Sequence, residues 1–294
     1  MQTPFQIPEG LTLETEDVSA GDWIDEQLLP LGGSPEGALV GEVIPAGFDA
    51  YARILHPAER RRGIVPGAPV SWAEVARERG KVIHPEVQFP ALIGAELDHR
   101  LPETDEFWMP LEGSLPSELC PALLEILGRH TRTPDRCAFC LWDGFGFLHE
   151  GASAYLFAAR GWRGRLQQGR MRREARRGAR IERRSTRDVA RVQIHPSSDR
   201  RGAFREYFLL RGPLESAATF VFDDGHFQSP NLWWPDDRRW VLATEIDDWT
   251  TYVGGSRACV DELLASHELE VVPSAPELRF DMAGDRINAS ELGR

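Results

Sequence analysis

Hydrophobic positions in this chain fall mostly into short runs and alternations, with only a few stretches that keep a helical period. Over residues 49–56, Tyr51, Arg53 and Leu55 alternate with Ala52, Ile54 and His56, which is the period-two pattern of a strand. Residues 38–44 (ALVGEVI) also read as a strand, and the intervening PAGF predicts a hairpin between the two. Further strands are expected over residues 137–142, 151–159, 205–211, 219–223, 241–246 and 269–272. Helical spacing appears over residues 21–29, where Trp23, Ile24, Leu28 and Leu29 share one face. Ser71 and Glu74 have capping-box spacing ahead of a helix that Gly80 would close. Residues 117–130 carry a stripe of Leu119, Leu123, Ile126, Leu127 and His130. A last helix is predicted over residues 256–266, with Val260, Leu263 and Leu264 inward and Ser256 as its N-cap. These elements predict an α+β fold, a mostly antiparallel sheet with a few packed helices.

Composition adds a division along the chain. The net charge is −12, yet residues 162–191 hold twelve arginines against Glu174, Glu182 and Asp188. That stretch has too few apolar residues to bury a face. We therefore expect an N-terminal α+β part over 1–160, an Arg-rich variable linker or exposed helix over 161–191, and a C-terminal α+β part over 192–294. The first and last parts are expected to share one core. No apolar run approaches the roughly 20 residues of a membrane helix, and the acidic N-terminus lacks the blocks of a signal peptide. A cytoplasmic protein without a membrane partner is expected.

Several motifs could carry chemistry. Cys137 and Cys140 form a CxxC, but it lies in a strand-like run where residues three apart face opposite sides, so buried structural thiols are expected. His56, His84 and His195 each precede a proline, the pattern of histidines that end strands. His56 stands out because Arg53 lies just before it. The Arg-rich segment could neutralise phosphates, but it lacks aromatic interleaving and the rest of the chain is acidic, so nucleic acid is the disfavoured partner.

The densest chemistry lies between Ser229 and Ser266. Trp233, Trp234, Trp240 and Trp249 suggest an interaction surface. Asp236, Asp237, Glu245, Asp247 and Asp248 are an oxygen-rich set that could hold a divalent cation or work as acid and base. Gly254, Gly255 and Ser256 could place backbone amides around an anion, or simply cap a helix. The two aspartate pairs flank one strand-like run at opposite ends, so a single compact site requires the chain to fold back, and the end from Glu245 to Ser256 is the better candidate. The leading expectation is a cytosolic binding or protein-interaction protein with an acidic, Trp-rich face around Trp234 to Tyr252, with another protein as partner. The rival is a metal-assisted hydrolase acting on a phosphate-bearing substrate. A third reading has the Arg-rich segment binding nucleic acid. No motif names a cofactor.

The combination of PAGFDAYARILHP, SWAEVA, TPDRCAFCLWDG, SPNLWWPDDRRWVLATEIDDWTTYVGGS and the closing DRIN resembles a family of hypothetical proteins from high-GC bacteria. The resemblance spans most of the chain outside the Arg-rich segment. It implies a full-length unit with a variable middle and carries no activity, cofactor or catalytic residue with it.

Overall fold

The computed structural model describes residues 5–32, 34, 35, 37–62, 65–94, 106–148, 189–195, 205–222 and 225–288. The strand expected over 151–159 and all of the Arg-rich segment before residue 189 lie outside the described residues. The main sheet is entirely antiparallel. Its strands run in the order β1 (Thr12–Leu13), β8 (Arg205–Gly212), β6 (Cys137–Trp142), β9 (Leu232–Pro235), β10 (Trp240–Ala243), β11 (Thr250–Gly255), β2 (Ala50–Leu55) and β12 (Val271–Ser274). A ninth strand, β7 (Val192–Ile194), also pairs with β8. A second sheet joins β4 (Val65–Val70), β3 (Ala58–Arg62) and β5 (Phe107–Trp108). With the helices below, this is the expected α+β class, and strands from both ends of the chain interleave in one sheet.

Alternation along each strand sorts side chains into two core layers. On one face, Phe139, Phe208, Trp233 and Trp240 meet Leu123, Ile126 and Leu127 of α4 (Cys120–Arg129) and Val260 and Leu263 of α5 (Arg257–Leu264). On the other, Tyr207, Leu232, Trp234 and Tyr252 meet Trp23 and Ile24 of α1 (Asp22–Gln27). A third cluster lies between the two sheets, where Leu55, Trp249 and Val272 contact α2 (Trp72–Arg79) and α3 (Phe89–Ile93). The start of α2 matches its sequence signal in part. The Ser71 hydroxyl accepts from the Glu74 amide (3.1 Å), and Gly80 closes the helix at φ 64°. Glu74 itself pairs with Arg60, while the Glu270 carboxylate accepts from the Trp72 (2.7 Å) and Ala73 (2.6 Å) amides. Among the described residues, no helix is long and apolar enough to cross a membrane.

Three strand expectations are corrected. Residues 38–44 form a 3-10 turn over Val40–Glu42, not a hairpin partner of β2. Both edges of β2 are already taken, by β11 and β12. Of the strand expected over 219–223, the described residues 219–222 form only the single bridge Val221↔Phe227. The segment 250–255, where no strand was expected, is the interior strand β11.

Candidate functional site

Every tryptophan of the expected face is buried: Trp234 at 2 % exposure, Trp233 at 1 %, Trp240 at 0 % and Trp249 at 5 %. The acidic Trp-rich face is therefore not a surface feature, because strand alternation turns these rings into the core layers. Asp236 and Asp237 sit in the tight turn between β9 and β10. Asp236 pairs with Arg211 (2.6 Å) and Arg136 (3.1 Å), while Asp237 accepts from Thr131 (2.9 Å) and the Arg132 amide (2.8 Å). Glu245 and Asp247 lie past the other end of β10 beside Arg205. The five carboxylates do not converge, and among the described residues no three His, Cys, Asp or Glu side chains are placed to hold a metal ion. Gly254 and Gly255 pair in register with Tyr51 and Ala50 on one side and with Val241 and Trp240 on the other, which commits this backbone to ladders rather than to an anion. Ser256 is an N-cap, its hydroxyl accepting from the Cys259 amide (3.3 Å). Cys137 and Cys140 face opposite core layers as free, buried thiols, and burial pushes Cys137 up to about 12.

Arg53, Asp248 and Tyr252 do come close together, inside the protein rather than in a cleft. Arg53 and Tyr252 are ladder partners, and the guanidinium lies against the rings of Trp72 and Tyr252 at 5.8 and 5.7 Å. Its Nε donates to Thr250 Oγ1 (3.0 Å), which in turn donates to Asp248 Oδ2 (2.9 Å). One threonine hydroxyl thus links a buried cation to a buried carboxylate. Burial pushes the Asp248 carboxyl up while Arg53 pulls it down. Tyr252 is likewise raised by burial, with Arg53 opposing. Arg53 Nη1 donates to the carbonyls of Val87 (2.8 Å) and Pro85 (3.2 Å), tying β2 to the segment before α3.

His56 belongs to the opposite face of the sheet. Burial depresses it to about 4, so the ring is neutral at pH 7. Its Nδ1 meets the Leu111 carbonyl (2.8 Å), which can only accept, so Nδ1 carries the hydrogen. Nε2 must then accept from Thr251 Oγ1 (2.9 Å), and Thr251 must accept from Thr244 (2.7 Å). Every member of the chain is satisfied, leaving His56 no lone pair or proton for catalysis.

A concavity with an apolar wall lies elsewhere. A cavity of about 230 Å³ opens at the end of β8, β9 and β10, roofed by Leu31 and the turn residues Glu42 and Val43. Leu232, Ala243, Ile194 and Phe280 make its apolar wall. Its polar side holds Arg205, Tyr207, Glu245 and His195. Arg205 Nη2 donates to Glu245 Oε1 (3.0 Å) and approaches exposed Asp247 (3.6 Å). Burial pushes the Glu245 carboxyl up, opposed by Arg205. Tyr207 is raised well above an ordinary phenol, first by burial and then by the Glu245 charge, and its hydroxyl makes no hydrogen bond to a described residue. His195 adopts φ 54°, a left-handed conformation unusual for a residue with a side chain. Two contacts hold it there: its amide donates to Asp25 (2.6 Å) and its Nε2 donates to the Glu42 carbonyl (2.8 Å). The Glu42 carboxylate is occupied by the Gly32 (3.0 Å) and Leu39 (3.2 Å) amides. Asn231 is saturated by the Trp142 amide and the Thr244 and Gly113 carbonyls.

Of the residues singled out in the sequence, Glu245 and His195 line this cavity, and Asp247 approaches it through Arg205. Sequence reasoning missed Arg205 and Tyr207. Period two along β8 puts both on the face of buried Leu209, and a charged residue on a core-facing register was the available signal. Comparison with known proteins finds no matching family, no matching curated protein and no matching solved structure.

Proposed function

We propose that this chain is a binding protein for a small molecule, taken up in the cavity bounded by Arg205, Tyr207, His195 and Glu245. The observation that carries this reading is the Tyr207 hydroxyl. It lines an apolar hollow next to an ion pair and makes no hydrogen bond to a described residue. A ligand with an acceptor at that point would gain a directed hydrogen bond from Tyr207. Mostly apolar walls with a few convergent polar groups are the usual composition of a small-molecule site, and at about 230 Å³ the cavity is smaller than the usual drug-sized pocket, which limits the ligand to a small one. The rival metal-assisted hydrolase has less support, because its carboxylates are divided between two ends of β10. The four free cysteines fit the expected reducing, cytoplasmic setting.

The test is a thermal-shift screen of a small-fragment library against the wild type and Val43→Trp, which fills the cavity mouth. Fragments that stabilise the wild type should lose their effect on the variant. Hits that stabilise both proteins equally would place binding elsewhere and end this reading.

A further inference from the structure

We infer that the cavity selects a neutral carboxamide carried on a small apolar body, a specificity that rests on the small-molecule reading above. The argument is a match of open hydrogen-bonding positions on adjacent elements. Tyr207, on β8, offers a donor with no partner among the described residues. Glu245, just past β10, uses Oε1 for Arg205, while Oε2 makes no hydrogen bond to a described residue and is left to accept. The complement is a group that accepts at one end and donates at the other. A carboxamide does both from one planar unit, its carbonyl taking the Tyr207 proton and its N–H meeting Glu245.

Charge excludes the two obvious competitors. Arg205 and Glu245 neutralise each other at 3.0 Å with only 17 % and 16 % of their side chains exposed. A carboxylate ligand would draw Arg205 from Glu245 and face Glu245, Asp247 and the Glu42 side chain. An ammonium ligand would compete with Arg205 for Glu245 and set a second cation beside a largely buried guanidinium. Either exchange weakens the Arg205–Glu245 pair in a low-dielectric site. A neutral amide leaves the pair intact. His195, the remaining titratable group on the wall, has its Nε2 held by the Glu42 carbonyl and so does not compete for Glu245.

Four probes test this by NMR titration of the full chain at pH 7: benzamide, N,N-dimethylbenzamide, benzoate and benzylamine. Benzamide should bind about ten-fold or more tightly than each of the other three, since each loses one hydrogen bond or adds an unpaired charge. Tyr207→Phe, which deletes only the hydroxyl, should lower benzamide affinity by about ten-fold with its melting profile intact. Should that variant misfold, the benzamide to dimethylbenzamide ratio on the wild type still decides. Benzoate or benzylamine binding as tightly as benzamide, or equal affinity for the dimethyl probe, overturns the amide assignment and leaves the cavity reading standing. Silence of all four, with a wider fragment screen also silent, overturns both.

Discussion

His56 has a fixed proton inventory, and that inventory makes a prediction about acid stability. In the unfolded chain its pKa is about 6.5, whereas in the folded protein burial holds it to about 4. Between these values the unfolded state binds more protons than the folded state. Stability is therefore fully present above the unfolded pKa and lost as pH falls through the window. The total loss for this group is about 3 kcal/mol. Glu245 and Asp248 are shifted upward, which is the opposite sign for stability, so the wild type alone cannot isolate His56. The difference between wild type and His56→Gln can, because the carboxylate contributions are common to both. Urea unfolding at pH 7 and pH 4 should show the wild type losing about 3 kcal/mol relative to the variant. A difference independent of pH would mean that His56 is not held neutral by its surroundings. The pattern His-Pro correctly marked a residue at the end of a strand. It could not show that Thr251, Thr244 and Leu111 would satisfy the ring, since those partners come from distant parts of the chain.

Among the elements, β11 separates what could be read from what could not. Strands such as Cys137–Trp142 and caps such as Ser71, Gly80 and Ser256 depend on local chemistry and were legible. Thr250–Gly255 was not, because its two glycines also fit a loop that leads into a helix. Their role in a sheet depends on Phe48 and Tyr51, which no local pattern can reveal. A Cβ on Gly254 would lie 2.9 Å from both the Phe48 and Tyr51 rings. Tyr51 cannot easily yield, because its hydroxyl accepts from the Phe48 amide (3.0 Å) and donates to the Pro45 carbonyl (3.1 Å). Gly254→Ala should therefore cost about 1–3 kcal/mol from overpacking. At Gly255 the nearest atoms would lie at 3.5 Å, an ordinary contact, so Gly255→Ala should be neutral or slightly stabilising. Equal losses at both positions in chemical denaturation would refute this account and revive a shared role for the pair. The cavity escaped sequence reasoning for the same reason: Arg205 and Glu245 are 40 residues apart, and its lining runs from Leu31 to Phe280.

For the molecule as a whole, strand order carries a stronger consequence than any one contact. In the main sheet, β1, β6 and β2 come from the N-terminal part, and no two of them are neighbours. Among the described residues each instead pairs only with strands after residue 204: β1 with β8, β6 with β8 and β9, and β2 with β11 and β12. The N-terminal part thus cannot form one ladder of the main sheet by itself. The C-terminal part keeps the local pairs β7–β8 and β9–β10–β11, but without β6 it has nothing to join them. Folding must close these long-range pairings together, which predicts one cooperative transition and slow folding relative to helical proteins of similar size. Fragments 1–148 and 189–294, prepared separately, should each lack the fixed packing of the main-sheet aromatics in near-ultraviolet circular dichroism, while the Trp72, Phe89 and Phe107 contacts beside the second sheet lie within 1–148. The buried Trp233 and Trp234 on one fragment need Phe139 and Trp23 from the other. Mixed at equal concentration, the fragments should recover that signal and co-elute as one species, because the pairing surfaces of β6 and β2 are complementary slots in the other half. A native-like aromatic spectrum from the 1–148 fragment alone would mean that its strands find partners within the fragment, and the interleaved sheet would then not be what holds this chain together.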